Sequence, residues 1–164
     1  MANLQSDLNE FVTLLISWSV EYLIVGGYAV AFHGHPRFTG DIAFLVRATP
    51  DNAQRLLHVL HEFGFGSVSF SVEDLTTEGR VVQLGRPPNR IDLLTSISRV
   101  TFDEAWAGRV SGSLGEHRVD FLGWDALIQN KTVTGRDKDR ADVAKLLSSA
   151  ASRKVADSRL QTVE

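Results

Sequence analysis

Two glycines, Gly26 and Gly27, close the short apolar run YLIVGG, and an aspartate, Asp41, opens the next run, DIAFLVR. A second aspartate, Asp92, sits inside a third apolar run, NRIDLLT. A glycine pair after a buried strand lets the backbone approach a bulky anion, and a helix that follows directs its N–H groups at it. An acid on the next strand can hold a divalent ion beside that anion. Alternate residues of a strand share a face, so Asp41 and residue 43 point one way and Ile42 and Phe44 the other. Residue 43 is an alanine, at the place where a second carboxylate would complete a metal site. Asp92 lies in an apolar setting, where a carboxylate is costly unless it is paired or metal-bound. The plainer alternative is a tight turn, a surface aspartate at 41, and an Asp92 paired with Arg90 or Arg118.

A second constellation is Lys131, Arg136, Lys138, Asp139 and Asp142. Asp139 and Asp142 stand three apart, on one helical face. Taken alone, these residues read as a helix start, with acids in the first turn against the dipole and salt bridges to Arg140 and Lys145. Lys131 and Arg136 also have the chemistry to hold a triphosphate, the arginine in bidentate fashion. A third is His33-x-His35 with Arg37. It lacks a third nearby metal ligand and reads as polar lining of a loop, or as an exposed loop. His58 and His61 read as surface residues of a helix, and Trp18, Trp106 and Trp124 as core or interface.

These side chains need elements to place them. Leu4, Leu8, Phe11, Val12, Leu15 and Trp18 recur at helical spacing, which predicts an amphipathic helix over 3–19. A buried strand over 22–27 precedes a short helix over 28–34, and a strand over 41–47 follows. Thr49 as cap and Pro50 at the first position start the next helix. Strands over 80–85 and 90–96 flank the turn RPPN. Thr101 caps a short helix, residues 109–123 form a hairpin, and two C-terminal helices separate near Gly135. The order predicts an α/β (α+β) fold: a small mixed sheet flanked by helices, with C-terminal helices. Residues 1–150 form one domain, and 151–164 form a polar, flexible tail.

Bulk composition narrows the function classes. The chain has 164 residues, is 43% hydrophobic and 23% charged, and carries a net charge of -3. That is enough for a real core and offers no global basic field for nucleic acid. The absence of cysteine excludes a disulfide scaffold, a thiolate metal site and a cysteine nucleophile. No apolar run approaches the ~18 residues of a membrane span, and the first residues lack the pattern of a secretory signal. The expectation is a cytoplasmic protein without a membrane partner.

The stretches VGGYAVAFHG and RFTGDIAFLV together resemble the signature of the minimal nucleotidyltransferases of the DNA polymerase β superfamily. That signature is a glycine turn, roughly a dozen residues, Asp-x-Asp on the next strand, and a further acid on a later strand. More closely, the chain resembles stand-alone nucleotidyltransferases related to toxins of toxin–antitoxin and abortive-infection systems. LIQNKTVTGRDKDRADVAKL, residues 127–146, is similar to their C-terminal stretch. The resemblance runs from about residue 10 to residue 148.

It implies transfer of an NMP from an NTP to a hydroxyl acceptor, a tRNA or a protein, with a cognate antitoxin as a further partner. It implies two Mg²⁺ ions in an intact site, which orient the triphosphate and neutralise charge on the transferred group. Gly26, Gly27, Arg37, Thr39, Lys131 and Arg136 would bind nucleotide. Asp41 and Asp92 would bind metal, and Asp41, Asp92 and Lys131 would be catalytic, with Asp92 helping to activate the acceptor hydroxyl. Asp139 and Asp142 would anchor Lys131 and Arg136 or join the site. Ala43 departs from the pattern, which has Asp or Glu there. Either the acid was replaced deliberately, which the intact flanks favour, or this is a natural member that binds without transferring. A non-catalytic nucleotide-binding or antitoxin-like module is therefore the alternative function. A third is a small-molecule nucleotidyltransferase of the antibiotic-modifying kind, with Glu73, Asp74 and Glu78 as an acidic acceptor lining.

Overall fold

The computed structural model describes residues 4–36, 39–65, 70–86 and 90–161, with side chains over 6–36, 39–64, 70–86 and 90–150. Six helices surround a mixed sheet of six strands, which establishes the expected α/β class. Helix α1 (Leu4–Ser17) leads into β1 (Tyr22–Val25), α2 (Gly26–Phe32), β2 (Asp41–Val46) and α3 (Pro50–Leu60). Then come β3 (Val81–Leu84), β4 (Arg90–Leu94), α4 (Phe102–Ala107), β5 (Val110–Leu114) and β6 (His117–Phe121). Helices α5 (Trp124–Thr134) and α6 (Asp137–Gln161) close the chain. The strand order is β3-β4-β2-β1-β6-β5. Strands β1, β2 and β4, which carry the Gly26 turn, Asp41 and Asp92, lie side by side, with β1 antiparallel and β4 parallel to β2.

Alternation along β2 fixes its orientation. Ile42, Phe44 and Val46 are fully buried on one face. Phe44 meets Phe11 of α1 and Tyr22 of β1 at ring-centroid distances of 5.5 and 5.7 Å, and Phe63 closes on Phe11 at 5.1 Å. That leaves Asp41 and Ala43 on the opposite face, both half-buried.

Local chemistry starts and stops the elements largely as expected. Thr49 caps α3 by accepting from the Asn52 amide, with Pro50 in the first turn, and Thr101 caps α4 through the Glu104 amide. Asn52 does more than its position in a helix announces. Buried, it accepts from the Glu21 amide at 2.8 Å and donates to the carbonyls of Glu21 and Arg47, so one amide pins α3 to the ends of β1 and β2. Helix α2 begins at Gly26 rather than Tyr28, because Gly26 at φ +67° turns the chain directly from strand into helix. At the C-terminus, helical backbone continues to Gln161, into the segment 151–164 expected as a tail. The turn RPPN includes residues 87–89, which lie outside the described residues. Among the described residues no helix is long and apolar enough to cross a membrane.

Truncating the ring at the centre of the aromatic cluster tests this packing. Phe44→Ala should cost about 3–5 kcal/mol. Urea unfolding should show an earlier midpoint at unchanged slope.

Candidate active site

Strand pairing assembles the first constellation. In the parallel pair β2–β4, Asp41 stands opposite Arg90 and Ala43 opposite Asp92. In the antiparallel pair β1–β2, Val25 stands opposite Ala43, so the turn at Gly26 falls at the same end of the sheet as Asp41. A methyl group at Gly26 would stand 3.6 Å from the Ala43 Cβ, and one at Gly27 would press against Thr39 at 3.0 Å. The Thr39 hydroxyl in turn lies 3.2 Å from Asp41 Oδ1 and 3.1 Å from the Asp41 carbonyl. Gly26, Gly27, Thr39, Asp41, Ala43 and Asp92 therefore meet at one place. Arg37 lies outside the described residues.

The cation at this place is Arg90. Its Nε donates to Asp92 Oδ1 at 2.8 Å, and its Nη2 donates to Asp92 Oδ2 at 3.1 Å and Asp41 Oδ2 at 3.2 Å. The plain alternative for Asp92, pairing with Arg90, is thus present. Its extension to Asp41 was not legible, because it depends on the register between two strands far apart in sequence. The two acids respond differently. Burial pushes Asp41 up, but contacts from Asp92, Thr39 and Arg90 outweigh it and hold the carboxyl below its ordinary range. For Asp92, burial together with the Asp41 charge wins over Arg90, and its carboxyl is pushed up. Burial and the Asp41 charge also raise the phenol of Tyr28, a residue of α2 that sequence reasoning passed over.

The donor set does not fit a two-ion centre. Ala43 offers no oxygen, Arg90 already occupies both carboxylates, and no group of three or more His, Cys, Asp or Glu among the described residues could hold a metal ion.

The second constellation forms where α6 folds back on α5. Gly135 adopts φ +61°, the left-handed conformation that suits a glycine past a helix end, and its amide bonds to the Lys131 carbonyl. The reversal sets Lys131 against the start of α6. Its ammonium lies 3.2 Å from Asp139 and 3.1 Å from Asp142, with all three side chains buried. Asp139 also receives Thr134 Oγ1 at 2.9 Å and Arg136 Nε at 2.7 Å. Both aspartates hold Lys131 and Asp139 holds Arg136, as the anchor reading requires. Arg136 keeps its side chain 60% exposed, whereas that of Lys131 is 6% exposed. Lys145 is exposed.

The histidines tie the two constellations together. His33 is buried, with Nε2 2.8 Å from the Leu122 carbonyl, so it is a structural tie rather than lining of an open loop. His35 Nε2 lies 3.7 Å from Asp142, and Ser149 donates to the Gly34 carbonyl at 3.3 Å. The segment leaving α2 is thereby held against α6. Trp18 stacks on His58 at 4.3 Å, which gives His58 a packing role.

No family model matches the chain, and no curated protein matches it. Solved structures do. The fold resembles that of an antigenic nucleotidyltransferase-like protein from Paracoccidioides brasiliensis, at 19% identity and a TM-score of 0.53, over 87% of this chain and 73% of that one. It resembles the solution structure of the antibiotic-resistance factor ANT(2'')-Ia, at 15% identity and a TM-score of 0.57, over 97% and 92% of the two chains. ANT(2'')-Ia in complex with adenylyl-2''-tobramycin gives 16% identity and a TM-score of 0.52, over 94% and 93%. At these identities the likeness establishes a nucleotidyltransferase-like fold.

The buried lysine cluster has a pH signature. Burial pushes Asp139 up, but hydrogen bonds from Arg136, Thr134 and Lys131 dominate and hold it well below the usual carboxylate range. A carboxyl depressed on folding stabilises the protein above its unfolded pKa of ~3.9 and loses that contribution as pH falls through the folded value. Asp139→Asn should cost about 3–5 kcal/mol at neutral pH, because Lys131 and Arg136 lose a charged partner. The loss of stability below about pH 4 should be shallower in the variant, as read by urea unfolding across pH.

Proposed function

We propose that the chain carries a nucleotidyltransferase site, built to move an NMP from an NTP to a hydroxyl acceptor, and that Ala43 silences it in the present sequence. The observation that carries this reading is the register of β2 and β4. It places residue 43 opposite Asp92, on the face of Asp41 and beside the Gly26 turn. An acid at 43 would complete three carboxylates there. The nucleotidyltransferase-like fold supports the reading.

The chain's own groups divide the work. Gly26, Gly27 and Thr39 shape the donor side, and Arg37 and Arg136 supply cations toward phosphate. Lys131 is assigned to the triphosphate by its motif, and its two carboxylate contacts set its position. Asp41, held anionic, keeps negative charge beside the Gly26 turn. Asp92, with its raised pKa, is the better proton acceptor for an incoming hydroxyl. Magnesium, in a chain with an acid at 43, would supply charge neutralisation on the transferred group.

The C-terminal motif over 127–146 favours a toxin-type enzyme with a tRNA or protein acceptor and a cognate antitoxin. An aminoglycoside-like acceptor is the competing assignment, since one structural neighbour is captured with adenylyl-2''-tobramycin. Arg90 favours a second reading, a nucleotide-binding module without catalysis, because it already pairs with both acids.

Labelled NTPs, Mg²⁺ and a mixed RNA and protein extract separate these readings. The present chain should label little, and Ala43→Asp should label an acceptor on the order of a hundredfold to ten-thousandfold faster. Adding aminoglycosides as acceptors to parallel reactions assigns the acceptor class. Silence from a folded Ala43→Asp variant with every acceptor would favour the non-catalytic module.

A further inference from the structure

Every oxygen of the acid pair is already engaged. Asp92 Oδ1 and Oδ2 and Asp41 Oδ2 accept from Arg90, and Asp41 Oδ1 accepts from Thr39. A guanidinium carries its charge at any ordinary pH and presents a planar fork that spans a carboxylate. Arg90 uses two of its nitrogens on Asp92 and reaches Asp41 with one of the same two. Its backbone lies opposite Asp41 in the register, so the side chain needs no rearrangement to lie between the acids.

We infer that Arg90 is the resident cation of the Asp41–Asp92 pair and excludes a divalent ion from it. A divalent ion between the two carboxylates would have to take oxygens from the guanidinium and then sit beside its positive charge. The alanine at 43 strengthens the exclusion, because no third carboxylate is left to offset that repulsion. The pair and Arg90 together leave one net negative charge, which does not balance the two positive charges a divalent ion would bring. Arg90 therefore decides whether the acid pair is a metal site or an internally paired one.

The inference rests on the proposed function only for the choice of a divalent ion as the competitor. Its test contains no nucleotide and no acceptor, so transfer and ion binding can fail independently. Mn²⁺ alone serves as the probe, titrated into the full chain and followed by the electron paramagnetic resonance signal of the free ion. Arg90→Gln should bind Mn²⁺ at least about tenfold more tightly than the unaltered chain, a coupling of ordinary size between adjacent sites. Arg90→Lys keeps a charge but cannot span both carboxylates, and should show a smaller gain. Adding Asp92→Asn to Arg90→Gln should remove the gain. If Arg90→Gln fails to fold by circular dichroism, Arg90→Lys decides. No gain in any folded Arg90 variant, or a gain that survives Asp92→Asn, would overturn the inference.

Discussion

The chemistry of this cleft depends on the alternation of a single strand. Ile42, Phe44 and Val46 of β2 are buried without residue, and Phe44 is held by rings from α1 and β1. A one-residue slip of β2 would turn Asp41 and Ala43 into that core and expose the apolar side chains. The hydrophobic face therefore specifies the polar one. Once β2 is pinned, its antiparallel partner must deliver the Gly26 turn beside Ala43, and its parallel partner must deliver Arg90 and Asp92 beside Asp41 and Ala43.

The charge cluster of the α5–α6 hairpin and that of Asp41, Asp92 and Arg90 differ in their exposure to water. In the α5–α6 hairpin, Lys131 meets two aspartates, and Arg136 and Thr134 satisfy the remaining oxygens of Asp139. Removing one partner there strands a charge away from water. In the cleft, Asp41 is 35% exposed and Arg90 27% exposed, so water can replace what a contact loses. The first cluster is suited to holding two helices in one arrangement. The second leaves Asp41 and Arg90 partly open to solvent.

The features legible in the sequence were those set by local rules. Thr49, Pro50 and Thr101 announced helix starts, Gly135 a reversal, and the alternation of DIAFLV the face that carries Asp41. The spacing from the glycine turn to Asp41 carried a resemblance, and the nucleotidyltransferase-like fold agrees with it. What was not legible depends on distant pairs. Arg90 beside Asp92 was readable as an alternative, but its reach to Asp41 follows only from the β2–β4 register. Asn52 looked like an ordinary helix residue, yet its amide closes three backbone hydrogen bonds at the ends of β1 and β2. His33 looked like loop lining and is buried against a carbonyl near the end of β6.

His33 and His35 show how the segment leaving α2 is held in place. Helix α2 is short, and alone would be a weak support for the glycine turn that starts it. Its far end is held at three points: His33 on Leu122, Gly34 on Ser149, and His35 against Asp142. Asp142 is also a ligand of Lys131, so the loop leaving α2 and the C-terminal hairpin share a charged residue. The order of the Gly26 turn is therefore tied to the ion pairs of α5 and α6 through α2. Asp142 thus serves Lys131 and His35 at once, so a change at Lys131 acts on the segment leaving α2 as well as on the α5–α6 hairpin.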